Sequence, residues 1–80
     1  MTKDNKKRQW VLFTVDEILA VEPTKAEAIM NAQIRCIAPV TVKRLRSGAY
    51  ELKSYGETRT RTFWVMTRQE AEREGVNDNG

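Results

Sequence analysis

The sequence predicts an α+β domain: one main helix, at about residues 25–34, packed on a four- or five-stranded, largely antiparallel sheet, with a short polar helix near the C-terminal end. Three observations predict it. Short runs rich in β-branched and aromatic residues lie on both sides of a single longer helical segment. Two capping-box sequences, Thr24-Lys25-Ala26-Glu27 and Thr67-Arg68-Gln69-Glu70, mark helix starts. A chain of 80 residues, 40% apolar and 31% charged, has material for one thin core and no more.

Residues 1–8 are polar and charged without apolar periodicity and read as a flexible basic arm, so order is expected to begin near Gln9. Trp10 to Thr14 is apolar on both faces, as an interior strand is. A turn at Val15-Asp16-Glu17 leads to a short strand over Ile18 to Glu22; the competing assignment for Asp16 to Val21 is a short helix. Pro23 and the Thr24 cap open a helix from Lys25 to Ile34, with Ala26, Ile29, Met30 and Ile34 as its expected core stripe. Ile37 to Arg46 and Ala49 to Ser54 form a hairpin through Ser47-Gly48, with Val40, Val42, Tyr50 and Leu52 pointing inward. Leu45 breaks that alternation and predicts a bulge near Lys43-Arg44. After a turn at Tyr55-Gly56-Glu57, Thr60 to Met66 is a strand with Phe63 and Val65 on one face and Trp64 and Met66 on the other. The last helix is polar, has Ala71 as its apolar contact and stops at Gly75. Residues 76–80 are expected to be a disordered tail, so 9–75 is a single domain.

The residue inventory points away from catalysis. Histidine is absent, which removes the commonest general base and metal ligand. Ser47 and Ser54 are in no nucleophile motif, no glycine-rich phosphate loop exists, and Asp16-Glu17 reads as a solvated turn. Cys36, the one cysteine, reads as a small buried hydrophobe, and one cysteine can neither form an internal disulfide nor hold a metal. The expectation is a non-enzymatic protein with no metal and no cofactor. No apolar run approaches the roughly 20 residues of a membrane span, and no secretory signal is legible, so a cytoplasmic location is expected.

Net charge is +3, unevenly distributed: residues 1–8 carry +3, 9–34 carry −3, 35–61 carry +5 and 62–80 carry −2. The basic hairpin region holds the candidate binding residues Lys43, Arg44, Arg46, Lys53, Arg59 and Arg61, expected to converge as one patch on adjacent strands about 4.8 Å apart. Arginine predominates, which suits bidentate contact with phosphate or carboxylate. Lys and Arg on edge strands also serve solubility, but the excess exceeds what edge protection needs. Trp10, Phe13, Tyr50, Phe63 and Trp64 read as core, whereas Tyr55, beside Gly56, reads as an exposed aromatic of the binding surface.

The stretch from Ile18 to Met66 is a strand ending in Val-Glu, a capped helix around Lys-Ala-Glu-Ala-Ile-Met, a basic hairpin and a final strand with a Trp. In this element order it resembles the small phage-encoded anti-CRISPR proteins of β-α-β-β type that act on type I surveillance complexes. The resemblance implies a phage or mobile-element accessory protein that binds the channel subunits or the nucleic acid of such a host complex and blocks hybridisation of target DNA. The partner would be a host protein or protein–nucleic acid complex, with direct nucleic-acid binding possible through the basic sheet surface.

Two other readings compete. One is a winged-helix DNA regulator, with Asp16 to Val21 as a first helix and Lys25 to Arg35 as recognition helix, although that segment lies in the acidic part of the chain. The other is an assembly protein acting through strand-edge pairing, so that monomer and homodimer both stand open.

Overall fold

The computed structural model describes residues 9–75, so the arm assigned to 1–8 and the tail assigned to 76–80 lie outside the described residues. The elements follow in the order β1 (Trp10–Phe13), β2 (Ile18–Glu22), α1 (Lys25–Ile34), β3 (Val40–Arg44), β4 (Tyr50–Tyr55), β5 (Thr60–Thr67) and α2 (Arg68–Arg73). The strands form one five-stranded sheet in the order β2-β1-β5-β4-β3, antiparallel at each pairing. The α+β class read from the sequence is the class observed.

β1 is an interior strand between β2 and β5, and its composition follows from that position. Val11 and Leu12 point to opposite faces, and both are buried. The turn into β2 is built by Thr14, whose Oγ1 accepts the amides of Asp16 at 3.2 Å and Glu17 at 3.3 Å, while its own N–H donates to the Glu17 carbonyl at 2.9 Å. Val21 and Ala20 then pair with Val11 and Leu12. Residues 18–22 are thus a strand, which removes the first helix that the winged-helix reading needs.

Thr24 caps α1 as its sequence predicts, accepting the Glu27 amide at 3.1 Å. The buried stripe differs from the one expected. Ala28 and Ala32 are fully buried, whereas Met30 is 62% and Ile34 77% exposed. Alanine lets the helix backbone come close to the sheet, so the side that packs is the one through Lys25, Ala28, Ile29 and Ala32, and the bulky residues at 30 and 34 fall on the outer side. α1 lies chiefly over β2, β1 and β5, and its inner side also meets Leu52 and Tyr50 of β4.

The main core beneath α1 consists of Leu12, Leu52, Phe63 and Val65 with the two alanines. On the other face of the sheet, α2 brings Ala71 onto Val11, Ala49 and Met66, beside Phe13, Ile18 and Leu45, and Trp64 stacks on Phe13 with ring centroids 6.0 Å apart. The opposite orientations of Phe63 and Val65 against Trp64 and Met66 are those the alternation predicts.

The β3–β4 pairing runs regularly from Val40 with Ser54 to Arg44 with Tyr50, without the bulge expected at Lys43-Arg44. The irregularity lies in the connection. Leu45 donates its amide to the Ala49 carbonyl at 2.8 Å, and Gly48 donates to the Leu45 carbonyl at 3.0 Å. Gly48 takes φ of 100°, giving a three-residue loop of type I turn plus left-handed glycine. Leu45 keeps the alternation of Thr41 and Lys43 and points away from α1; it is apolar because that face carries a core of its own, the second cluster, on which it packs. The strand also starts later than predicted, since side chains hold residues 36–39 as a loop. Gln33 donates to the Ala38 carbonyl and accepts the Val40 amide, and Ser54 Oγ donates to the same carbonyl.

Candidate functional site

Strand register divides the predicted basic patch. Alternation places Lys43 and Lys53 on the face away from α1, and Arg44 and Arg61 on the face toward it. Arg46 is on the hairpin loop at one end of β4, and Arg59 is on the β4–β5 turn at the other. The seven candidates therefore do not form one surface: Arg59 and Arg61 come together at the cleft, Tyr55 reaches it at the end of β4 while alternation sets its side chain on the face shared by Lys43 and Lys53, and Arg44 and Arg46 stand at the far end.

The residues that come together line an open cleft of about 620 Å³ between the α1–β3 connection and the β4–β5 turn. Arg35, Cys36 and Ile37 form one wall, and Tyr55, Arg59 and Arg61 the other. The turn is tight at Gly56, whose amide donates to the Arg59 carbonyl at 2.9 Å. A Cβ at position 56 would lie 3.0 Å from that same oxygen, so only glycine keeps the turn at this curvature without displacing it.

Two of the three arginines are held in place by carbonyl and amide oxygens, not by carboxylates. Arg61 donates from Nη1 to the Arg35 carbonyl at 2.7 Å and lies 5.2 Å from the centroid of the Phe63 ring. Arg35 donates from Nε to Asn31 Oδ1 at 2.8 Å and from Nη2 to the Leu19 carbonyl at 3.4 Å. The salt bridges among the described residues are both on α2, Arg68 with Glu72 and Arg73 with Glu70. The cleft arginines thus keep their full charge, with Glu57 as the sole acidic residue in the lining. Guanidinium groups fixed at one edge and open at the other can offer paired N–H donors to an oxyanion. Tyr55, 61% exposed at the end of β4, offers a ring face on the adjoining side of the sheet, the side of Lys53.

Arg35 belongs to this site, and the candidates drawn from the sequence omit it. It caps the C-terminus of α1 and enters the cleft only because the following loop is tied to Ser54 and Gln33. The +5 segment that begins at residue 35 was the one available signal.

A second cationic group sits roughly 13 Å along β4, four residues at the ordinary strand rise. Lys25 Nζ donates to the Tyr50 hydroxyl at 3.0 Å and lies 4.3 Å above its ring centroid, with Arg44 paired to Tyr50 in register. The Lys25 hydrogen bond, aided by the charges of Lys25 and Arg44, draws the Tyr50 phenol below its ordinary range, while desolvation pushes the other way. Here the cation is already engaged by a protein partner, unlike the guanidinium edges of the cleft.

Among the described residues, no cluster of three or more His, Cys, Asp or Glu side chains is placed to hold a metal, and no helix is long and apolar enough to cross a membrane. Comparison with protein-family models, with curated proteins and with solved structures finds no match to this chain.

Proposed function

We propose that this chain is a non-enzymatic binding protein that sets its arginine cleft against the phosphates of a nucleic-acid strand in a host nucleoprotein assembly and blocks that strand. The observation that carries the reading is the convergence of Arg35, Arg59 and Arg61, none paired with a carboxylate among the described residues, around an open cleft with Tyr55 at its rim. Arginine supplies the phosphate contacts, and a base that reaches around the end of β4 stacks on the exposed Tyr55 ring, a combination that favours single strands. The further +3 on residues 1–8 adds to the attraction at long range.

Function on this reading is occlusion: the bound strand is denied to its own partner. The element order shared with the anti-CRISPR proteins directs the proposal to a phage or mobile-element inhibitor of a CRISPR surveillance complex as the first assembly to try. A short single-stranded oligonucleotide titrated into isotope-labelled protein should shift the amide resonances of Arg35, Tyr55, Gly56, Arg59 and Arg61. Shifts confined to the face of Lys43 and Lys53 would place binding elsewhere and refute the cleft.

A further inference from the structure

We propose that β3 pairs with β3 of a second copy of this chain, joining two sheets into one of ten strands across a two-fold axis at Val42. β3 is one of the two edges of the sheet. The hairpin geometry fixes which of its backbone groups face outward. Leu45 and Ala49 close the ladder through the Leu45 amide, so in the alternating antiparallel pattern Lys43 and Thr41 bond to β4, while Arg44, Val42 and Val40 turn their N–H and C=O groups away from it. The Val40 amide fits this parity, since it donates to Gln33 Oε1 at 2.9 Å instead of to β4. The amides of Val42 and Arg44 have no acceptor within the described chain.

The register that joins two such edges is self-complementary. With Val42 opposite its copy, the two Val42 residues exchange both of their bonds, and each Arg44 amide meets the Val40 carbonyl of the other chain. Arg44 then lies across from Val40 and Lys43 across from Thr41, so no like charges stand directly opposite. The Val42 side chain, 46% exposed in the single chain, meets its equivalent on the axis. The other edge is blunted against the same use. The β1–β2 ladder is irregular at Leu12/Phe13, and the Arg35 guanidinium occupies the Leu19 carbonyl of β2. One open and one blunted edge give a closed pair and not a fibre. The inference stands apart from the arginine cleft, none of whose arginines is on β3.

Light scattering and sedimentation of the wild-type chain, from micromolar to near-millimolar concentration, should give twice the chain mass at the upper end, with the Val42 and Arg44 amides exchanging more slowly as the pair forms. Val42→Pro removes an outward donor that β4 does not use, a position where an edge strand tolerates proline. It should give the single-chain mass with an unchanged far-ultraviolet spectrum. Val42→Lys sets two ammonium groups against each other on the axis, leaves the backbone intact, and should likewise give single chains. A wild-type chain that stays single over the whole range, or a pair that survives in either variant while folded, would overturn the proposal.

Discussion

Reversing two charges of the cleft together, R59E/R61E, is expected to weaken binding of a single-stranded oligonucleotide by roughly 100-fold or more at low salt. Each hydrogen bond to a charged group contributes about 1.5–3 kcal/mol, and every 1.4 kcal/mol is about tenfold in affinity. The reversed charges add repulsion to that loss. Arg59 and Arg61 are exposed, so the fold should persist. The same two reversals on the opposite face, K43E/K53E, should change affinity by no more than about threefold, the remnant of a screened field. Fluorescence anisotropy of both variants beside the wild type checks this. Equal losses from the two faces would mean that diffuse charge, and no particular site, attracts the strand.

Phe63→Ala is expected to have the largest effect on stability. Phe63 is fully buried at the centre of the sheet, opposite Leu52 on β4. Truncating a buried phenylalanine costs about 3–5 kcal/mol, while a domain of this size holds on the order of 4–12 kcal/mol in total. The melting midpoint should fall by on the order of 20 °C, followed by circular dichroism. The same substitution reaches the cleft, because the Arg61 guanidinium rests over the Phe63 ring. A loss of only a few degrees would mean that α1 and β4 collapse into the space, and that the core is less closely packed than its burial indicates.

Strands, turns and helix starts were legible because each rests on local chemistry: β-branched runs, the Thr24 and Thr67 caps and the Gly48 turn. The faces of β5 followed from alternation alone, with Phe63 and Trp64 as adjacent residues of opposite fate. The buried side of α1 was not legible by size, since close approach to the sheet selected Ala28 and Ala32 and turned Met30 and Ile34 outward. A stripe through 25, 28, 29 and 32 exists in the sequence, but nothing local ranks it above the bulkier one.

The candidate site was partly legible for a related reason. Composition located the basic excess in 35–61, yet three strands carrying charge do not make one surface when neighbouring residues point to opposite faces. Lys43 and Arg44 show this within one dipeptide. Arg35 enters the site through a tertiary route, the loop tied down by Gln33 and Ser54, which no spacing along the chain encodes.

The most direct test of the cleft as a phosphate-reading site is the salt dependence of wild-type binding to a fluorescent single-stranded oligonucleotide. Three arginines on three phosphates predict a slope of log affinity against log salt of about −2, at roughly −0.7 per phosphate neutralised, or steeper where the basic N-terminal residues join in. No binding at low salt, or an affinity indifferent to salt, would contradict the account and leave the cleft arginines to an acidic protein surface or to solubility.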